Sequence, residues 1–194
     1  MIRRKTIEKP FKLMALLIKS LMYEVHLQIT TKQMDINILT IQKFYTAFQQ
    51  KDYSTMNSCY TDDIPFNDPV FGLLRGKETK AMWQMLCTRA KDFSLQFENI
   101  TTDDNEYYTC EWTAAYIFSK TNRRVVNKCK AYMRMQDGVI MEHSDGFNFY
   151  RWCRQALGLV GLILGWSGFM HKKVSNNAKR ELMKFMEKNN LLEN

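Results

Sequence analysis

The sequence predicts an α+β fold in which helices cover one face of a strongly curved antiparallel sheet. Three observations predict it. Apolar residues recur at spacings of three and four from Ile38 to Leu86, and alternation with a period of two takes over from Phe93 to Phe149. The turn signals Asp103-Asp-Asn105, Thr121-Asn122 and Asp137-Gly138 then join the alternating runs at hairpin distances. Helices first and strands afterwards segregates the two element types, so the helices must bury the apolar face of the sheet. A bent sheet closed by helices encloses a cavity.

Each element follows in order. From Asp35, a suitable helix cap, Ile38, Ile41, Phe44, Tyr45 and Phe48 form one apolar stripe. Ser54 is expected to cap a short second helix that turns Met56, Cys59 and Tyr60 inward and stops at Thr61-Asp-Asp63. Residues 64–68 read as a short strand ended by Pro69, and a third helix after Gly76 carries Met82, Trp83, Met85 and Leu86. Phe93, Leu95 and Phe97 open the sheet, and residues 107–119, 124–135 and 139–149 continue it as a meander. A C-terminal helical extension follows: a helix over 151–157, an apolar run broken by Gly158, Gly161, Gly165 and Gly168, and a basic helix over 177–188. The broken run is short of the ~20 apolar residues that a membrane span needs, and it reads as an apolar flap or dimer contact.

With 194 residues, 45% of them hydrophobic, the chain can bury a sizeable core in one domain, assigned to 34–194: a core over 34–150 and a helical tail over 151–194. Its formal charge of +8 is carried at the ends: residues 1–33 hold +5, 151–194 hold +5, and 34–150 hold −2. A central domain without a basic face argues against nucleic acid as a partner. Residues 1–33 form a basic, apolar extension with Lys19 inside its apolar run and no small-residue cleavage site, which argues against a signal peptide. The expectation is that the native product begins at Met34 or that the extension is disordered, and that no membrane is bound. Five scattered cysteines without a Cys-x-x-Cys pair read as reduced thiols of a cytoplasmic protein.

Chemistry concentrates in two segments, Phe66-Asn-Asp-Pro-Val-Phe-Gly72 and the last alternating run. Alternation puts Val139, Met141, His143, Asp145 and Phe147 on one strand face, which describes a pocket wall. A carboxylate on an apolar wall has its ionised form destabilised, so Asp145 is a candidate general acid or base. Asp68 is either a second such group or a turn aspartate bonded to the backbone beyond Pro69. His143 is either a proton partner or a satisfied core histidine. Alternation allows Glu111 or Asn127 to face the cavity. Phe44, Phe48, Phe66, Trp83 and Phe147 are the other expected lining residues. No His, Asp or Glu spacing fits a metal, and no cofactor is expected.

The ordered set Phe44-Tyr-Thr-Ala-Phe-Gln-Gln-Lys-Asp52, Tyr60-Thr-Asp-Asp63, Asn67-Asp-Pro69 and His143-Ser-Asp-Gly-Phe147 resembles the nuclear-transport-factor-2-like superfamily over residues 35 to about 150. Its SnoaL-like branch, named for polyketide cyclases, is the closest in pattern. The resemblance implies a cone-shaped fold with an internal cavity, often a homodimer, in a superfamily of isomerases, cyclases, dehydratases, epoxide hydrolases and proteins without a known reaction. Asp68 matches the general base of ketosteroid isomerase. That enzyme's oxyanion hole is a tyrosine and a protonated aspartate, and their positions fall on Phe44 and Ala131, which donate nothing. Tyr45, adjacent but turned by about 100° on a helix, is retained as an orienter. Asp145 resembles the last-strand aspartate of limonene-epoxide-hydrolase-like members, but Glu111-Trp-Thr113 stands where their Arg-x-Asp pair would be. The SnoaL-like cyclases use an aspartate and a histidine, types supplied here by Asp145 and His143.

Two functions remain open. One is a cofactor-free acid/base enzyme of isomerase, cyclase or dehydratase type acting on a small apolar molecule, with Asp145, Asp68, His143 and Tyr45 at the site. The other is a non-catalytic binding or dimeric interaction module whose cavity is filled.

Overall fold

The structure, a computed structural model, describes residues 8–102, 104 and 106–192. Asp103 and Asn105 of the expected turn and residues 1–7 of the extension lie outside the described residues. The elements run α1 (Glu8–Gln49), α2 (Tyr53–Ser58), β1 (Pro65–Asp68), β2 (Gly72–Arg75), α3 (Lys77–Arg89), β3 (Lys91–Thr102), β4 (Tyr107–Phe118), β5 (Arg123–Gln136), β6 (Val139–Phe147), α4 (Phe149–Leu157), α5 (Leu159–Leu164) and α6 (Gly168–Lys188). The fold is α+β: one curved, unclosed sheet of six strands in the order β2-β1-β6-β5-β4-β3, with helices before and after it. All neighbours are antiparallel except β1 and β6, where Phe66 stands beside His143.

Four features depart from the expected elements. Helix α1 runs unbroken through Asp35, so no helix starts there. Helix α2 is capped by Asp52, not Ser54, because the Asp52 carboxylate accepts from the Thr55 N–H at 3.0 Å. Strand β2, too short to show a period, pairs with β1 from Pro65↔Arg75 to Asp68↔Gly72. In the tail, α5 is a helix of its own and α6 starts at Gly168, with the Ser167 hydroxyl accepting from the Met170 N–H.

The inner face of the sheet is set by alternation. Tyr108, Cys110, Trp112 and Ala114 of β4, and Val125, Asn127, Cys129, Ala131, Met133 and Met135 of β5, are all buried. Ile41, Phe44, Tyr45 and Phe48 of α1 close over them, as do Met82, Trp83 and Met85 of α3. Burying an aromatic or large aliphatic side chain contributes roughly 1.5–3 kcal/mol, which makes this contact the main source of cohesion. A separate apolar cluster of Val125, Trp152, Cys153, Ala156 and Met170 fixes the tail to the far end of β5.

On β6 the alternation is broken once. Arg134 pairs with Glu142 but Met135 pairs with Ile140, so Met141 is an extra residue opposite nothing. Val139 and Met141 therefore do not share the inner face: Ile140 is fully buried there, and regular alternation resumes at His143, Asp145 and Phe147. The five cysteines are free and buried.

Candidate functional site

Between the sheet, α3 and the tail lies a cavity of about 300 Å³. Phe48, Phe66, Trp83, Trp112, Asn127 and Phe147 line its interior together with Asp68 and Asp145, while Leu157, Val174 and Ala178 from the tail form one wall. Basic side chains reach it only among exposed residues, Arg89 and Lys120, and Arg89 is engaged by Glu181 at 3.4 Å. A second recess, lined by Glu111, Lys128 and Lys130 among others, carries neither aspartate.

Asp145 is held at the end of a chain of buried hydrogen bonds. The Trp83 indole N–H donates to the Tyr60 hydroxyl oxygen at 3.0 Å, and that hydroxyl lies 2.6 Å from His143 Nδ1. The hydrogen of that hydroxyl meets Nδ1 and no other acceptor among the described residues, so Nδ1 is assigned as the acceptor and Nε2 as the donor of the His143 ring. Nε2 then donates to Asp145 Oδ1 at 3.2 Å. The Trp112 indole N–H donates to the same oxygen at 3.0 Å. Trp112 reaches it across the sheet because its register neighbour is Cys129 and that of Asp145 is Ala131, two small side chains. Burial above all, with the nearby Asp145 carboxyl adding to it, holds the Tyr60 hydroxyl well above its ordinary range and keeps it a donor.

Both bonds to Asp145 fall on Oδ1, and Oδ2 takes none from the described residues. The carboxyl of Asp145 therefore has a fixed orientation and an oxygen available to whatever enters. His143 is 1% exposed and is not among the lining residues, with both ring nitrogens committed. It positions Asp145 from behind and does not itself meet the cavity.

Asp68 is a turn aspartate that also faces the cavity. Its Oδ1 accepts from the backbone N–H of Val70 at 2.9 Å and from that of Phe71, which is how an aspartate stabilises a turn. It also lines the cavity, and burial, opposed by those backbone bonds and reinforced by Asp145, pushes its carboxyl up to about 7. The residue keeps some surface, directed at the cavity, so solvent there trims the effect of burial.

The remaining site candidates lie elsewhere. Tyr45 is 1% exposed, packed against Phe44 and stacked on Phe97, and its hydroxyl has no hydrogen-bond partner among the described residues. Neither it nor Phe44 lines the cavity, because both are buried under the sheet by the same stripe of α1. Glu111 is exposed and bonded to Asn99 at 3.2 Å, one residue out of phase with the buried Cys110 and Trp112. Sequence pattern does not single out Tyr60 and Trp112 as site residues. The apolar phase of β4 would have placed Trp112 inside, whereas Tyr60 comes to His143 only through the bridge between Tyr60 and Ile140. Among the described residues, no group of three His, Cys, Asp or Glu side chains is arranged to hold a metal ion.

Residues 41–143 match the model of the SnoaL-like domain family. No curated protein is significantly similar to the chain. Among solved structures, an LEH-like epoxide hydrolase of M. tuberculosis is 25% identical, with 67% of this chain and 96% of that one covered and a TM-score of 0.55. A candidate polyketide cyclase from Xanthomonas campestris pv. campestris is 17% identical, over 64% and 98% of the two chains, at a TM-score of 0.54. A protein of ketosteroid-isomerase-like fold from Catenulispora acidiphila, solved in complex with trimethylamine, is 10% identical over 60% and 91%, at 0.53. The last two are similar in fold alone.

Proposed function

Because this chain belongs to the SnoaL-like domain family, we propose that its cavity binds a small, largely apolar molecule and moves a proton on it without a cofactor, in chemistry of isomerase, cyclase or dehydratase type. The observation that carries this reading is the pair of carboxyls, Asp145 and Asp68, on the wall of one aromatic cavity. In the proposed scheme Asp145, oriented by Trp112 and His143, takes the proton through its free oxygen. Asp68, whose carboxyl sits at about 7, gives or accepts one at neutral pH, where a group of that pKa is most effective. The aromatic walls hold the substrate and exclude water. The five free, buried thiols support a cytoplasmic location, and the exposed Tyr107 and Tyr132 on the outer face of the sheet support a homodimer.

Binding without turnover is the second reading. It is favoured by the fully buried, donor-free Phe44 and Ala131 at the positions where the isomerase resemblance puts oxyanion donors. One experiment separates the two. Small epoxides and enolisable ketones are screened for turnover, and binding is followed by quenching of the cavity tryptophans. In Asp145→Asn, turnover of any accepted compound should fall about 10²–10⁴-fold with binding retained. Turnover unchanged in both Asp145→Asn and Asp68→Asn removes these groups from catalysis.

A further inference from the structure

The tail turns its apolar side chains outward, and two glycines cause it. Gly161 and Gly165, one helical turn apart, are the buried residues of α5 and its C-cap. A Cβ on Gly161 would overlap the Cys153 carbonyl, and one on Gly165 would lie 2.8 Å from Cys153 Cβ. Their bare backbone lets α5 lie directly on α4. Since the glycines occupy the contact stripe, the large residues point away: Leu159, Ile163, Trp166 and Phe169 are 64–76% exposed. Four large apolar side chains exposed within residues 159–169 mark an interaction surface.

Charge identifies the occupant. Residues 146–180 contain six Lys or Arg and no Asp or Glu, and all six are exposed. Two of them lie over aromatic rings: Lys173 Nζ is 5.8 Å from the centroid of the exposed Phe169 and the Arg154 guanidinium is 5.7 Å from that of the half-buried Tyr150. Apolar residues with tryptophan, ringed by cations on long stems, fit the boundary between lipid headgroups and acyl chains. A second copy of this chain fits poorly, because a two-fold contact would bring the all-cationic segment onto itself. We propose that α5, with Trp166 and Phe169, is a docking surface for an anionic lipid bilayer. Attachment is peripheral, since no described helix is long and apolar enough to cross a membrane. The surface belongs to the tail that also supplies Leu157, Val174 and Ala178 to the cavity wall, so docking sets the cavity beside a source of apolar molecules. This assignment is independent of what happens to a ligand inside.

The test uses the full chain and vesicles of phosphatidylcholine with or without phosphatidylglycerol. Trp166 is the exposed member of the four tryptophans, so its emission reports docking without a label. Anionic vesicles should blue-shift the emission and sediment the protein, and neutral vesicles or high salt should weaken binding at least about tenfold. Leu159→Ser with Ile163→Ser, at exposed positions that leave the fold intact, should abolish it. Lys172→Glu with Lys173→Glu should weaken it at least about tenfold. Leu17→Ser with Leu21→Ser, on the exposed apolar part of α1, should leave it unchanged. Equal binding to neutral vesicles, or loss only with the α1 substitutions, overturns the assignment. So does failure to bind together with a dimer that Leu159→Ser and Ile163→Ser dissociate, which makes the occupant a second copy.

Discussion

Replacing Asp68 by Asn isolates the energetic consequence of a carboxyl held in the cavity wall. Burial moves it from an ordinary 3.8 to about 7. Below pH 3.8 the folded and unfolded chains both carry the proton, so ionisation has no effect on stability. Between 3.8 and about 7 the native state keeps a proton that the unfolded chain releases, and stability falls by about 1.4 kcal/mol per pH unit. Over roughly three units the deficit reaches about 4 kcal/mol, constant above about pH 7, with cavity solvent reducing it toward about 3. Asparagine retains an oxygen to accept from Val70 and Phe71 but has nothing to ionise. Urea denaturation at about pH 4 and about pH 8 should therefore show Asp68→Asn close to the wild type in acid and more stable by about 3–4 kcal/mol in base. Titrations of groups that do not interact with Asp68 cancel in the difference. A stability difference that is the same within about 1 kcal/mol at both pH values would refute the placement of this carboxyl.

Three further outcomes follow from the same geometry. Tyr60→Phe strands the Trp83 N–H and His143 Nδ1, two buried polar groups, and should cost about 2–4 kcal/mol in denaturant midpoints, whereas Tyr45→Phe removes an unpartnered hydroxyl and should be neutral or stabilising. Trp112→Phe deletes one of the two donors to Asp145 Oδ1 and leaves a gap on the cavity wall; a loss of about 2 kcal/mol, with Asp145 reoriented in a crystal structure, is expected. Gly161→Ala forces α5 off Cys153 and should lower the melting temperature by several degrees, while Gly168→Ala, with no atom within 4 Å, should leave it unchanged or raise it slightly.

The readable parts of this molecule were those governed by local period. Alternation in β4 and β5 and the stripe Ile41, Phe44, Tyr45, Phe48 each depend on which side of an element a residue occupies, and that is fixed by about 2.0 or 3.6 residues per repeat. The errors have the same local scale. Met141 at a bulge shifted the phase of β6, the Asp52 cap displaced the Ser54 one, and β2 is four residues long and has no period to read. Glu111 could have been assigned outward, since its neighbours Cys110 and Trp112 follow the apolar phase.

The order of residues alone determined an α+β chain with helices over a bent sheet, because side-chain direction alternates with backbone geometry and apolar area must leave water. Only the tertiary structure decided that the Tyr60 hydroxyl meets His143 from 83 positions away, that Trp112 and His143 share one oxygen of Asp145, and that the apolar tail faces outward. Those outcomes depend on which elements become neighbours and on where glycine permits backbones to touch. Hydrogen bonds and close contacts act over about 3 Å in space whatever the separation along the chain, so no local pattern encodes them.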